Sequence, residues 1–226
     1  MDENKNLEDF SRKYLEILNG DLAGLNLTRI LTPKDFYEKQ ILDAVYPTTQ
    51  SNLFQEKLSK VEAVIDIGFG GGIPLLPLAF TYPEKMFIGI EARNKKVEAV
   101  AHIAKKLKLN NVQVVHARVE DLIIDFSTLI TFKAVGQIDS CLSSLNLLNL
   151  QSYIYFYKGP LFFEKEALAL KKVKKNWEQI EEKSVKIPGT QGRFFLGFRP
   201  RNVPRGTRRG NNRVNLSDIV SLRGNQ

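Results

Sequence analysis

The chain has 226 residues, 43% of them hydrophobic and 10% aromatic, enough apolar material for one full core with an appended lobe. Its 33 Lys and Arg outnumber 25 Asp and Glu, giving a formal charge of +8 whose sign favours a polyanionic partner. No apolar run approaches the roughly 18–20 residues of a membrane span, and the acidic start Met1-Asp2-Glu3-Asn4 is unlike a secretory leader. The single Cys141 excludes an internal disulfide and a cysteine-cluster metal site, so a cytoplasmic, metal-free protein is expected.

Over residues 6–19, Leu7, Phe10, Tyr14, Ile17 and Leu18 recur at helical spacing and predict one apolar helix face, stopped by Gly20. Thr32-Pro33-Lys34-Asp35 reads as an N-cap with proline in the first turn, opening a helix through Phe36, Ile41 and Val45 to about Pro47. A short helix over 51–58 completes an N-terminal helical extension, residues 1–59. At Val61 the pattern changes to a short β-branched run ending in glycines, the signature of a buried parallel strand. A regular alternation follows: helix 72–82, strand 86–91, helix 94–107, strand 112–116, strand 128–135, helix 138–148, strand 153–158, helix 164–173 and strand 194–198. Read as helix on to Lys183, residues 164–183 hold six lysines and five glutamates, an ordinary solvated face. Strands alternating with helices predict an α/β fold, a Rossmann-like and mostly parallel sheet, here with an antiparallel edge, over residues 60–198. Residues 199–226 are expected to be a basic, disordered tail. Arg199, Arg201, Arg205, Arg208, Arg209 and Arg213 fall within fifteen residues that hold no acid. The tail carries +6 of the total charge. Beyond it, residues 214–220 read as a short docking segment, for the sheet or for a partner.

The sharpest feature is Asp66-Ile67-Gly68-Phe69-Gly70-Gly71-Gly72-Ile73-Pro74, where a strand breaks into glycines that let the backbone approach a ligand. A dinucleotide fingerprint would place its third glycine at Ile73; the spacing here is Gly-x-Gly-x-Gly. Glu91 ends the next strand 19 residues after Gly72, where a carboxylate accepts both hydroxyls of an adenosine ribose. Asp66 adds negative charge at the loop, which suits a ligand with a cationic amino-acid end better than an anionic pyrophosphate. S-adenosylmethionine is such a ligand, and Asp66, Gly68, Phe69, Gly70, Gly72 and Glu91 are its expected contacts.

From Leu25 to about Arg199 the chain resembles the bacterial family of small-subunit (16S) ribosomal RNA guanine-N7 methyltransferases, also called glucose-inhibited division protein B. The resemblance rests on Asn26-Leu27-Thr28 with Ile41-Leu42-Asp43, the glycine loop, Val115-His116-Ala117-Arg118-Val119-Glu120-Asp121, Tyr157-Lys158-Gly159 and Gly192-Arg193-Phe194-Phe195, in the family's order. It implies a class I S-adenosylmethionine-dependent methyltransferase fold with an N-terminal helical extension. It also implies cofactor contacts from Gly68, Ile73, Val119 and Glu120, a basic contact from Lys133, and RNA or cofactor roles for Arg118, Lys158 and Arg193. Lys133 stands where the family usually has arginine, Lys39-Gln40 where it has Arg-His, and Leu75 where glycine is common.

Guanine N7 has an in-plane lone pair and no proton, so no general base is required and rate must come from positioning and electrostatics. Lys133 is the one candidate for a catalytic side chain. His102, His116 and Cys141 read as structural. Tyr153, Tyr155, Phe156 and Tyr157 read mainly as strand core, with one near Lys158 available to stack on a flipped base. The arginine tail, with Arg118, Lys158 and Arg193, is the expected RNA contact. The expected enzyme is a monomer acting on small-subunit RNA or the small ribosomal subunit. Two alternatives stay open here: the same fold with another RNA target, and an RNA-binding protein that keeps the pocket without turnover.

Overall fold

The computed structural model describes residues 3–149, 151–202 and 213–222. Helix α1 (Glu3–Asn19) buries Leu7, Phe10, Tyr14 and Leu18, the face that the spacing predicts. Helix α2 (Pro33–Phe36) is capped by Thr32, whose Oγ1 accepts from Asp35 N at 3.4 Å. The chain then widens into a π-helical turn, Tyr37–Leu42, before α3 (Asp43–Gln50). The expected stop at Pro47 does not occur: Pro47 lies inside α3, and the wide turn just before it accommodates a ring that would clash in an unbroken α-helix. Ser51 caps α4 (Asn52–Lys60) by accepting from Phe54 N at 2.9 Å.

The α/β part runs β1 (Ala63–Ile67), α5 (Leu75–Thr81), β2 (Met86–Glu91), α6 (Asn94–Lys106), β3 (Val112–His116), β4 (Leu122–Ile123), β5 (Thr128–Lys133), α7 (Ile138–Ser143), β6 (Ser152–Lys158), α8 (Phe162–Val173), β7 (Trp177–Val185) and β8 (Arg193–Pro200). Seven strands form one sheet in the order β3-β2-β1-β5-β6-β8-β7. The pairs from β3 to β6 are parallel, and β8 runs antiparallel to both of its neighbours. Strand order therefore reverses between β1 and β5, which opens a crevice at their carboxyl ends. One apolar layer, with α1 and α3 to α6, covers one face; a second, with α7, α8 and the C-terminal segment, covers the other.

The expected helix over 164–173 is α8, whereas the helical reading of the residues beyond it to Lys183 gives way to β7. Residues 177–185 favour a helix by composition, but pairing with β8 along nearly their whole length overrides that preference. Strand β5 stops at Lys133 because Ala134 and Gly136 take left-handed φ values of 59° and 50°. Helix α7 is shorter than expected, since Leu147 bridges to Ile124. Arg199 and Pro200 complete β8, and residues 213–222 return to the sheet. There, β9 (Val214–Asn215) pairs with β4, Leu216 and Val220 are buried, and Gln113 of β3 exchanges two hydrogen bonds with Ser221. Among the described residues, no helix is long and apolar enough to cross a membrane, and no group of three or more His, Cys, Asp or Glu forms a metal site.

Candidate functional site

The glycine loop leaves β1 and turns into α5 over the carboxyl ends of β1 and β2. Gly68, Gly70 and Gly72 all have left-handed φ values, 69°, 58° and 89°. A Cβ on Gly72 would sit 2.6 Å from Tyr14 Oη, and one on Gly71 2.8 Å from Leu27 O, so the N-terminal extension rests directly on the loop. The fully buried Tyr14 hydroxyl donates to Gly71 O, which ties α1 to the loop backbone. Gly70 faces open space, with only Lys96 Nζ and Gly68 O within 4 Å of a Cβ built there. A ligand can approach the backbone at that point.

Glu91 lies at the end of β2, 9% exposed, with one carboxylate oxygen accepting from Gly70 N at 3.2 Å and the other from Arg93 N at 3.1 Å. Each oxygen keeps a lone pair for a hydroxyl donor, so the pairing expected for an adenosine ribose fits this carboxylate. Asp66 is a correction. It is 1% exposed, and its oxygens accept from Leu75 N at 3.2 Å and Thr131 Oγ1 at 2.8 Å. It links β1, β5 and the first residue of α5 instead of presenting its charge to a ligand. Burial pushes its carboxyl up to about 7. Phe69 is also turned inward, packed against Gly89 of β2, so only its backbone belongs to the loop surface. Ile73 is half-buried beside the loop.

After β3, Val119–Asp121 form one tight helical turn with Val119 buried and Glu120 and Arg118 exposed. The turn is held by Glu120 O, which accepts from Asn146 Nδ2 at 3.1 Å and Arg213 Nε at 3.0 Å. The C-terminal segment thus reaches the same end of the sheet as the glycine loop.

Beside this cleft, at the ends of β5 and β6, lies a cavity of about 420 Å³ whose lining includes Lys133, Val135, Gly136, Lys158, Gly159 and Arg193. A Cβ on Gly68 would sit 2.8 Å from Val135 Cγ2, so the cavity and the glycine loop share a wall. Two ion-pair groups line it. The wholly buried Asp43 pairs with Lys133 Nζ at 3.1 Å and Arg193 Nε at 2.7 Å. Lys158 Nζ lies 2.7 Å from Glu166 Oε1 and donates to Gly136 O at 3.1 Å. The other oxygen of Glu166 accepts from Ile138 N at 2.8 Å, fixing the start of α7.

The fold therefore gathers Gly68, Gly70, Gly72, Ile73, Glu91, Val119, Glu120, Lys133, Lys158 and Arg193 at one end of the sheet. It separates Arg199 and Arg201 from them. Because β8 is reversed, Arg193 and Phe194 meet the carboxyl end of β6 while Arg199 lies at the opposite end, paired with Glu178 at 2.7 Å. Arg201 Nε donates to Lys174 O nearby. Arg205, Arg208 and Arg209 lie outside the described residues, whereas residues 199–202 and 213–222 of the expected disordered tail are held in place by β8 and by packing against the sheet. His102 pairs with Asp21 and His116 with Ala92 O, both on the surface. Cys141 is buried in the core, its thiol donates to Val135 O at 2.9 Å, and burial pushes that thiol up to about 11. Tyr155, Phe156 and Tyr157 are core, and the Tyr157 hydroxyl donates to Ala44 O at 2.9 Å. Sequence reasoning assigned no role to Tyr14, Asp43 or Glu166. Only Asp43 carried a signal, as the end of the Ile41-Leu42-Asp43 stretch.

The strand order, the single reversed strand and the glycine loop backed by Glu91 define the class I methyltransferase fold, Rossmann-like with a helical extension. A family model described as rRNA small subunit methyltransferase G matches residues 7–194, and the chain belongs to that family. The ribosomal RNA small subunit methyltransferase G of Petrotoga mobilis is 33% identical over 205 residues, covering 85% of this chain and 88% of the relative. That of Mesoplasma florum is 29% identical over 197 residues, covering 85% and 77%. Among solved structures, the N-terminal domain of EvdMO1, crystallised in the presence of SAH and D-fucose, is 14% identical with a TM-score of 0.47, covering 70% of this chain and 84% of that one.

Proposed function

We propose that this chain methylates N7 of a guanine in small-subunit (16S) ribosomal RNA, with S-adenosylmethionine as donor. The observation that carries the reading is the shared wall: a Cβ on Gly68 of the glycine loop would meet Val135, which lines the cavity with Lys133 and Arg193. Bound S-adenosylmethionine supplies an electrophilic methyl group on a positively charged sulfur. Glu91 would hold the ribose, the backbone around Gly68 to Gly72 the amino-acid end, and Val119 and Glu120 the adenine edge. At about 420 Å³, the neighbouring cavity is of the size that accepts a flipped base.

Guanine N7 attacks with a lone pair and releases no proton, which matches a cavity bounded by ion pairs and backbone carbonyls. The chain's contribution is to hold the base against the donor, exclude water and stabilise the charge that develops. Exposed Arg118, with Lys158 and Arg193 at the cavity, supports contact with the RNA strand entering it. The arginines at 205, 208 and 209 add electrostatic capture of rRNA or of the small ribosomal subunit by a monomeric enzyme. Transfer of labelled methyl to 16S RNA and to small subunits, followed by mapping of the modified base, tests the reading. Cofactor binding without transfer to any RNA rejects it.

A further inference from the structure

Asp43 opens α3 where the π-helical turn ends, fully buried, yet it lines the cavity beside the cofactor loop. Two cations from distant parts of the chain converge on it. Lys133 Nζ lies 3.1 Å from Oδ2, and Arg193 lies 2.7 Å from Oδ1 through Nε and 3.4 Å from Oδ2 through Nη2. Both cations keep some exposure, 15% and 26% of their side chains, while the carboxylate has none. This wall of the cavity therefore presents two cations offset by one carboxylate. Elsewhere in the cavity, Lys158 and Glu166 already neutralise each other.

A purine methylated at N7 becomes a cation. The new N–C bond forms as the methyl's bond to sulfur breaks, the electron pair stays on sulfur, and no proton moves, so the positive charge passes to the base. Two uncompensated cations on the adjoining wall would oppose that step. Because the charge moves only about 3 Å, from sulfur to the base, what counts is the difference between the two positions: from about 9 Å to about 6 Å from one unit charge, at an effective dielectric of about 20, it corresponds to on the order of fivefold in rate. We propose that Asp43 is a positioning residue for the methyl acceptor: it fixes Lys133 and Arg193 on the cavity wall and offsets their charge where the base turns cationic. The N-terminal extension thereby completes the acceptor site as well as bracing the cofactor loop. This role rests on the guanine-N7 reading given above.

The test uses the full chain, single-turnover rates, and RNA affinity from fluorescence anisotropy with a labelled 16S fragment. Asp43→Asn is expected to slow single turnover at least threefold while RNA binds as tightly as before or up to threefold more tightly. Asp43→Glu, which keeps the charge, is expected to restore most of the lost rate. A rate for Asp43→Asn less than threefold below wild type, or a rate loss matched by an equal loss of RNA affinity, overturns the proposal. If that variant does not melt cooperatively, the wild-type chain decides. With S-adenosylhomocysteine present, it is expected to bind a 16S fragment carrying N7-methylguanine within threefold of the unmodified fragment. Product bound more than thirtyfold more weakly overturns the charge offset. A wild-type chain that methylates no guanine N7 removes the underlying reading, whereas an active one indistinguishable from Asp43→Asn removes only the role of Asp43.

Discussion

Asp66 gives the fold a pH dependence that one substitution isolates. In an unfolded chain its carboxyl titrates near 3.8; in the folded protein burial raises it to about 7, against the opposing effects of the Thr131 hydroxyl, the Leu75 amide and Lys133. Between those two values the native state binds a proton that the unfolded state does not. Stability from this group is therefore fully present below about pH 4, falls as pH rises, and is lost once pH passes about 7. From pH 5 to pH 8 the native carboxyl gives up its proton across two pH units of linkage, about 2.7 kcal/mol at 1.36 kcal/mol per unit. For a chain of this size that corresponds to about 5–10 °C in melting temperature. Asp66→Asn keeps an acceptor for Leu75 N and a polar partner for Thr131 but cannot ionise. Urea or thermal unfolding of both chains, without ligand, at pH 5 and pH 8 reads the difference. The wild type should lose about 2–3 kcal/mol relative to the variant across that interval. Parallel stability profiles would refute the assignment of a raised, buried carboxyl at this position.

Glu91→Ala removes the carboxylate at the end of β2, and with charge-assisted hydrogen bonds worth about 1.5–3 kcal/mol each, S-adenosylmethionine should bind at least tenfold more weakly by calorimetry. Unchanged affinity would take Glu91 out of the site. Tyr14→Phe leaves Gly71 O without its buried donor; a cost of about 1–3 kcal/mol should lower the melting temperature by several degrees and weaken cofactor binding at least threefold. A variant matching wild type in both would show that the helical extension does not brace the loop. Replacing Arg205, Arg208 and Arg209 together by Gln should flatten the log–log salt dependence of RNA binding by about 2, at roughly 0.7 for each phosphate no longer neutralised. Identical slopes would remove these arginines from the interface. This triple replacement is a better probe than truncation after Phe198, which would also strip the buried Leu216 and Val220.

The proposed cofactor half of the site is legible in the sequence because its signals are local. A buried β-branched strand, glycines at alternate positions and a strand-end glutamate all lie within one βαβ unit, and the fold brings them together at the switch point. The proposed acceptor half is not local. Asp43 and Arg193 meet across 150 residues, and no periodicity near either announces the other. Asp66 misled for the opposite reason. Its position before the glycines points to a ligand, but Thr131 from β5 and the amide that starts α5 draw it into the interior. Strand β7 is spelled in Glu, Gln and Lys because an edge strand needs few apolar side chains, so composition reads as helix until its partner β8 is known. The docking of 213–222 depends on pairing with Leu122 and Ile123 and on contact with Asp125, 92 residues upstream of Ser217, which explains why the sequence left its partner open.

The most direct measurement is transfer of isotopically labelled methyl from S-adenosylmethionine by the full chain to three substrates: naked 16S RNA, assembled small subunits and transfer RNA. Reduction and strand cleavage specific for N7-methylguanine then locate the product. One N7-methylated guanine in small-subunit RNA, free or assembled, with none in transfer RNA, is the predicted result. Label at another base atom, label in transfer RNA alone, or cofactor binding with no transfer to any of the three would contradict it.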